Sequence, residues 1–501
     1  MVWTLGGLVL GVILWDLFQK KHAILRNFPF IGHFRYALEA IGPELRQYIV
    51  TGNDEERPFS RDQRRWVYAS AKRQNNYFGF GTDTEQEQVE NFLIVKHSAF
   101  PLDDPHHSDP DHQDDQYALP CAKILGGWRR RRGAFRPTSV VHVSGMSFGS
   151  LSSAAVEAIN RGCAAADCLH NTGEGGVSPH HDHGGELIWQ IGTGYFGCRA
   201  EDGGFSIERF RETVEAYPSI RAIEIKLSQG AKPGLGGVLP IAKITPEIAA
   251  IRGIRRDRDC ISRASHQAFS DVSSMLDFIE RLADESGRPV GIKSAIGQES
   301  FWIELAREID TSGRAPDFIT IDGGEGGTGA APLAFSDHVA LPFKVGFARV
   351  YRTFAERSLT EHIVWNGSGK LGFPETALLA FALGCDTVAV AREAMLAIGC
   401  IQAQRCHSGH CPTGVATQNR WLVRGLDPTS KADRLANYML TLRKEVLRLS
   451  RACGVPHPSG VTLDHLDILD GQFGARPARE VFGYEEGWGR PDASALEAVG
   501  G

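Results

Sequence analysis

The segment DGGEGGTGA (Asp322–Ala330) directly follows the short apolar run Asp317–Ile321. The apolar run is typical of a buried strand, and the glycines after it expose backbone N–H groups that can hold an anion. The same order, a β-branched run followed by a polar loop that contains glycine, recurs along the chain from Ser139 onwards. This repeated order decides the fold class.

Eight strands with helical stretches between them are predicted. The strands are Ser139–Val143, Ala164–Leu169, Leu187–Ile191, Ala222–Leu227, Pro289–Lys293, Asp317–Ile321, His362–Trp365 and Asp386–Val390. The helices include Ser206–Tyr217, Val272–Ser286, Glu299–Ile309 and Pro374–Leu383. This alternation predicts an α/β fold, a (β/α)8 TIM barrel, with an open doubly wound sheet as the alternative. The glycine loops favour the barrel because they cluster after the strands, whose carboxyl ends meet on the face where barrel enzymes do chemistry.

The 501 residues suit one barrel with additions at both ends. We predict an anchor helix at 1–20, a helical or irregular extension at 21–135, the barrel at 136–430 and a helical tail at 431–501. The net charge of −6 gives no basic field for nucleic acid. The sequence leaves the oligomeric state open, with a homo-oligomer as one option.

The N-terminus predicts a transmembrane or membrane-anchoring helix. Trp3–Trp15 is apolar or small throughout, and Lys20, Lys21 and Arg26 follow it. A helix without a polar face is buried in lipid or in a protein core, so a buried helix is the alternative. The cationic flank predicts a protein anchored in the bacterial inner membrane, with its catalytic part facing the cytoplasm.

Loops after the last three predicted strands favour a phosphorylated cofactor, because barrel phosphate sites commonly use this region. The candidate residues there are Asp322, Gly323, Gly324, Gly327, Thr328, Gly329, Gly367, Gly369, Ala391 and Arg392. Lys293 ends the fifth predicted strand, where a cation can stabilise a reduced flavin, although a surface salt bridge is the alternative for one lysine. The ring of this flavin is expected to be lined by Met146, Ser147 and Asn171.

The segment EIKLSQGAKPG carries Lys226, Gln229 and Lys232, and Arg252 follows it. Two lysines, a glutamine and an arginine suit a small anion with two carboxylates. Glu174 is the carboxylate best placed to handle an amine or its proton. These five residues are the candidate catalytic set.

Three cysteines, Cys400, Cys406 and Cys411, form a C-x5-C-x4-C pattern. The spacing leaves three interpretations open: an iron–sulfur cluster that lacks one iron, zinc with a histidine as fourth ligand, or inert buried cysteines. The acidic, histidine-rich stretch Asp103–Asp115 is interpreted as a solvated loop, with a metal site as the alternative.

Three stretches resemble the FMN-binding synthase domain of glutamate synthase: IKLSQGAKPGLGG, DGGEGGTGA and GCIQAQRCHSGHCPTGVATQN. The resemblance runs from about Ser139 to Asn419, and the region His22–Thr82 resembles the stand-alone, membrane-anchored branch of that family. It implies FMN as cofactor and a 3Fe–4S cluster on Cys400, Cys406 and Cys411.

The resemblance also implies roles in a reductive amination, in which reduced FMN delivers hydride to an imine formed from a 2-oxo acid and ammonia. Lys226, Gln229, Lys232 and Arg252 match positions around 2-oxoglutarate, and Glu174 matches the glutamate at the ammonia entrance. The electron donor would be ferredoxin-like or linked to NAD(P)H.

Two departures from the family pattern bear on the substrates. We expect no glutaminase domain in this chain, so the nitrogen would come from free ammonia, from an amine, or from a group delivered by a partner subunit. Val238 stands where glutamate synthases carry a glutamine beside the oxo acid, which puts 2-oxoglutarate itself in doubt. The alternative functions are a membrane-bound flavin and iron–sulfur electron carrier without amination, or an oxidoreductase acting on a different amino-acid-like substrate. A further hypothesis is a non-redox metal-binding or scaffold protein.

Overall fold

The computed structural model describes residues 2–19, 21–53, 55–103 and 117–499. The stretch predicted as an acidic, histidine-rich loop lies outside the described residues apart from Asp103. The chain divides into two compact units, Met1–Arg65 and Trp66–Gly501.

The first unit begins with the helix Val2–Phe18, where the sequence predicts an anchor. Further helices cover Ala23–Asn27 and Gly32–Leu45, and a π-helical turn covers Arg46–Val50. Asp16 is buried, and its Oδ1 is hydrogen-bonded to Nε2 of His33 at 3.0 Å. Within the described residues, no helix is long and apolar enough to cross a membrane.

Eight parallel strands of the second unit close into a barrel, so the TIM-barrel prediction is confirmed. In chain order the barrel strands are Val141–Val143, His170–Asn171, Leu187–Ile191, Ile220–Lys226, Val290–Ala295, Phe318–Asp322, Val364–Ser368 and Thr387–Val390. Neighbours in sequence pair with each other, and the eighth strand closes on the first through Val390 and Val143. All strand residues except Arg221 are buried, as expected for a parallel sheet covered by helices.

The prediction for the second strand is wrong. The first two residues of the predicted strand, Ala164 and Ala165, belong instead to the helix Ser153–Ala165. The N-terminus of this helix is capped by the Ser152 hydroxyl. The buried positions of this helix follow helical spacing, which overrides the short run that suggested a strand. The strand itself is only His170–Asn171.

Helices surround the barrel and lead into the tail. Their bounds are Ile207–Ala216, Pro246–Arg252, Val272–Ser286, Ser300–Ser312, Leu333–His338, Phe343–Ala355, Pro374–Ala382, Arg392–Ala397, Arg420–Val423, Pro428–Ala452, Ala478–Phe482 and Ala493–Glu497, and Arg61–Ala71 precedes the barrel. Val272–Ser286 has the predicted bounds, because a capping box at Asp271 starts it and Gly287, at φ 67°, ends it.

The C-terminal tail is not wholly helical, contrary to the prediction. Its long helix Pro428–Ala452 packs closely on the first barrel helix, where a Cβ on Gly162 would lie 2.8 Å from the Ala432 carbonyl oxygen. After this helix, Leu466–Leu469 forms the centre of an antiparallel sheet, between Ala475–Pro477 and Phe92–Val95. The tail strand pairs with a strand distant in sequence, which local patterns do not indicate.

Candidate active site

The loops after the barrel strands bring four of the five candidate catalytic residues together around one ion pair. Nζ of Lys226 lies 2.8 Å from Oε1 of Glu174 and donates to Oε1 of Gln229 at 2.5 Å. Lys232 is buried and donates to the Gly236 carbonyl oxygen at 3.0 Å. We refer to Glu174, Lys226, Gln229, Lys232 and Arg252 as the substrate cluster.

Arg252 ends the helix Pro246–Arg252 and supplies the fifth member of the substrate cluster. It is 6% exposed, its Nη2 donates to the Phe148 carbonyl oxygen at 2.9 Å, and its guanidinium lies 5.1 Å from the ring centre of Phe196. Its Nε is buried without a hydrogen-bond partner among the described residues. A buried donor without a partner is costly to stability, and the Cys260 thiol also interacts with this guanidinium.

The cations of the substrate cluster fix the charge of Glu174. Burial alone would raise the pKa of Glu174, but the ion pair with Lys226 and the two further cations hold it below its ordinary value. Burial lowers the pKa of Lys232 and that of Arg252. At neutral pH Glu174 is therefore ionised and can accept a proton rather than donate one.

Lys293 and Asp322 form a second buried pair near the ends of the fifth and sixth strands. Their charged atoms are 3.3 Å apart, and Nζ of Lys293 also donates to the Ser144 hydroxyl at 3.3 Å. Burial alone would lower the pKa of Lys293, but Asp322 and Glu224 raise it above its ordinary value. Lys293 is thus a buried cation inside the barrel, two residues before the end of the fifth strand, and not a surface salt bridge.

Gly230 joins the substrate cluster to this second pair. Its N–H donates to Oδ2 of Asp322 at 2.8 Å, and a Cβ on Gly230 would lie 1.8 Å from the Gly323 carbonyl oxygen. Gly230→Ala should therefore lower the free energy of unfolding by about 2–3 kcal/mol, because backbone must move to relieve the clash.

Urea denaturation followed by circular dichroism measures this change. The matched control is Gly297→Ala, in the loop after the fifth strand, because nothing lies within 4 Å of its added Cβ. Equal unfolding free energies for Gly230→Ala and Gly297→Ala would contradict the prediction.

The predicted phosphate loops lie against one another. A Cβ on Gly327 would lie 2.9 Å from Cδ of Arg392, and one on Gly369 would lie 3.3 Å from Cα of Gly323. Two of the predicted backbone N–H donors already bond within the protein. The Gly323 N–H donates to the Ser368 carbonyl oxygen, and the Gly324 N–H donates to the Leu341 carbonyl oxygen. The remaining residues of these loops, Thr328, Gly329, Gly367 and Ala391 among them, stay candidates.

Glu325, which sequence reasoning did not select, fills part of this region. Its Oε2 accepts the Phe343 N–H at 2.8 Å, and its backbone oxygen accepts from Arg392. Burial raises its pKa above the ordinary value for a glutamate. A half-buried carboxylate here limits where a phosphate can sit.

The cysteine segment packs against the same loops. A Cβ on Gly329 would lie 3.1 Å from the carbonyl carbon of Cys406, and Nζ of the buried Lys243 donates to the Cys406 oxygen at 2.7 Å. Burial would raise the pKa of Cys411, but hydrogen bonds from Thr413 and the following backbone lower it below its ordinary value. No group of three or more histidine, cysteine or acidic side chains in the described part of the chain is arranged to hold a metal ion.

A polar network inside the barrel escaped the sequence analysis. Its members are Gln190, Glu224, Thr320, Asn366 and Thr387, together with the predicted Asn171. Asn366 donates to the Thr320 hydroxyl at 3.0 Å, and Thr387 donates to the Asn366 oxygen at 3.2 Å. The sequence signal that could have revealed this network is the presence of single polar residues within the otherwise apolar strand segments.

Comparison with known proteins places these features in a family. Residues 129–456 match the family model described as the conserved region in glutamate synthase. The chain is 36% identical over 474 residues to the glutamate synthase large subunit-like protein YerD of Bacillus subtilis, covering 89% of this chain and 90% of that protein.

Two further matches are more partial or more distant. An archaeal glutamate synthase [NADPH] from Methanocaldococcus jannaschii is 35% identical over 325 residues, which cover 64% of this chain and 59% of that protein. A solved structure of a mutant flavocytochrome b2 with pyruvate bound covers 88% of this chain and 86% of that chain, with 13% identity and a TM-score of 0.44. The family match and the YerD match together show that this chain belongs to the glutamate synthase family.

Proposed function

We propose that the protein is an FMN- and iron–sulfur-dependent oxidoreductase that reductively aminates a 2-oxo acid. The observation that carries this proposal is the ion pair of Glu174 with Lys226, ringed by Lys232 and Arg252 on the loop face of a glutamate synthase-family barrel. The cations suit a substrate that carries carboxylate groups. Glu174, as a proton acceptor, suits a reaction in which that substrate takes up ammonia.

The loop residues fit FMN. Gly173, at φ 66°, lets its loop approach so closely that a Cβ there would lie 2.5 Å from the Ser147 nitrogen, leaving backbone rather than side chains at the barrel mouth. Lys293 supplies the cation that suits a reduced flavin, and Arg392 supplies one beside the glycine loops. When bound, FMN would supply hydride.

The donor set of the cysteine segment fits a cluster with three thiolate ligands, Cys400, Cys406 and Cys411. Hydrogen bonds from Thr413 and the following backbone favour a thiolate at Cys411, whereas burial raises the pKa of Cys406 even though the cation of Lys243 opposes it. A bound cluster would supply single electrons beside the loop that carries Gly329. The three sulfurs must move closer together for this, since no three-ligand group is preformed among the described residues.

The chain's own groups have the following parts in the proposed reaction. The guanidinium of Arg252 and the ammonium group of Lys232 supply the positive charge that binds the carboxylates of the oxo acid. Lys226 keeps Glu174 ionised and in place, so that Glu174 accepts a proton from the incoming ammonium. The buried walls of the substrate cluster exclude water from the imine.

Product analysis tests this function. Protein reduced without oxygen would be mixed with ¹⁵N-ammonium and, in separate samples, with dicarboxylic, aliphatic and aromatic 2-oxo acids. We expect one ¹⁵N-amino acid per flavin with the dicarboxylic acid. Amination of none of them would reject the function, and the electron-carrier hypothesis would then lead.

We also propose that the first unit binds a lipid surface. Along the helix Val2–Phe18, Trp3 is 94% exposed, Trp15 74% and Phe18 78%. Large apolar side chains exposed on one helix favour insertion at a membrane interface. The full chain should co-sediment with vesicles of anionic lipid, and Leu8→Glu with Trp15→Glu should abolish this. Equal sedimentation of the doubly substituted chain would count against lipid binding.

A further inference from the structure

The barrel interior holds a carboxylate that the proposed chemistry does not use. Glu224 lies on the fourth barrel strand, two residues before Lys226, and is 1% exposed. A buried carboxylate is stable only when hydrogen bonds satisfy its oxygens. Three donors do so: Nδ2 of Asn171 at 2.8 Å and Nε2 of Gln190 at 2.7 Å reach Oε1, and the Thr320 hydroxyl reaches Oε2 at 2.6 Å.

These hydrogen bonds decide which way the two amides face. Because both amide nitrogens donate to Glu224, both amide oxygens turn away from it. The Asn171 oxygen accepts the Gly173 N–H at 3.0 Å. A Cβ built on Gly145 would lie 2.8 Å from that oxygen and 3.2 Å from Oε1 of Gln190. Both oxygens therefore lie beside the loop after the first strand.

The Gln190 oxygen is the group left for a ligand. Among the described residues, the hydrogen bonds of the Gln190 side chain end at Glu224, and none reaches Oε1. Such an oxygen is an acceptor for an N–H group. The pyrimidine ring of a flavin carries an imide N–H at N3, between two carbonyl groups, and Lys293 is a buried cation inside the same barrel.

We propose that Glu224 is a positioning residue for the flavin, which holds the Gln190 amide so that its oxygen accepts the N3–H group. This inference rests on the proposed FMN site. Glu224 acts through the amides and not by contact with the ring. The place of its acceptor oxygens therefore matters more than its charge.

Two substitutions separate geometry from charge. In Glu224→Gln the charge is lost, but the new amide oxygen can accept from both Asn171 and Gln190 while its nitrogen donates to the Thr320 hydroxyl. In Glu224→Asp the charge is kept, but the carboxylate is one methylene shorter and does not reach both amides.

The test compares the affinities of the apoprotein for FMN and for N3-methyl FMN, which lacks the donor, by titration of flavin fluorescence. Wild type and Glu224→Gln should favour FMN by about tenfold, the order of one hydrogen bond. In Glu224→Asp the ratio of the FMN affinity to the N3-methyl FMN affinity should fall to about threefold or less. General destabilisation would weaken both ligands equally and leave the ratio unchanged.

A wild-type ratio in Glu224→Asp, or a lost ratio in Glu224→Gln, overturns the inference. Failure of the wild-type protein to bind FMN at all would instead overturn the proposed function. If Glu224→Asp does not fold, Gln190→Met removes the acceptor oxygen directly. The affinity ratio of FMN to N3-methyl FMN should then fall in the same way. An unchanged affinity ratio in Gln190→Met also overturns the inference.

Discussion

Lys226→Met should lower kcat/KM for the 2-oxo acid by about 10²–10³-fold, within the range of a lost acid–base contribution. Lys226 holds the Glu174 carboxylate at 2.8 Å and keeps its pKa below the ordinary value. Without this cation the pKa of Glu174 rises, because burial is opposed only by Lys232 and Arg252, so the ionised form that accepts a proton is less populated at a given pH. Steady-state rates from pH 6 to 9 measure the loss, and the activity of the variant should recover partly at the alkaline end.

The matched control is Lys96→Met, because Lys96 forms a surface ion pair with Asp467 at 3.0 Å outside the substrate cluster. This control should keep the wild-type rate and pH profile. A wild-type rate in Lys226→Met would remove Lys226 from the reaction. A rate that falls equally at every pH would show that Lys226 binds substrate without setting the charge of Glu174.

The second large effect concerns the cysteine segment. Cys411→Ser should lose most of the bound iron and acid-labile sulfide, because a serine hydroxyl is a poor substitute for the thiolate that the surrounding hydrogen bonds favour. Turnover with a one-electron donor should fall by at least about a hundredfold, since the route for single electrons is gone. Flavin absorbance should remain, because the cysteine is not a flavin contact in this account.

Iron and sulfide assays with electron paramagnetic resonance of anaerobic protein provide the measurement. Cys453→Ser is the control, because Cys453 is a buried thiol just after the helix Pro428–Ala452 and lies outside the cysteine segment. Full iron content in Cys411→Ser would contradict the cluster. Zinc in place of iron in the wild-type protein would favour the non-redox hypothesis.

The barrel could be predicted because its signal is local and repeated. Each strand run is followed by a glycine loop, and loops such as Asp322–Ala330 could be assigned to the carboxyl face without knowing any contact. The same logic placed Lys226 near Glu174, since Lys226 ends one barrel strand and Glu174 lies in the loop after another. Strand His170–Asn171 was missed because two residues carry too little pattern.

Contacts between distant segments could not be predicted in this way. The pairing of Phe92 with Leu469 joins residues far apart in the chain, and nothing local marks either strand for the other. The network around Glu224 depends on which strand faces which across the barrel, and each of its members looks like an isolated polar residue in an apolar run. Sequence pattern gives the face of a strand but not its partner.

The most direct test of the central claim, that the substrate cluster aminates an oxo acid on a reduced flavin, is the visible spectrum of anaerobic, dithionite-reduced protein. The protein would be titrated with 2-oxoglutarate, with ammonium, and with both. We predict that the oxidised flavin bands return only when both are present, and that Lys226→Met slows this return. Flavin bands that stay reduced with the mixture would contradict the claim.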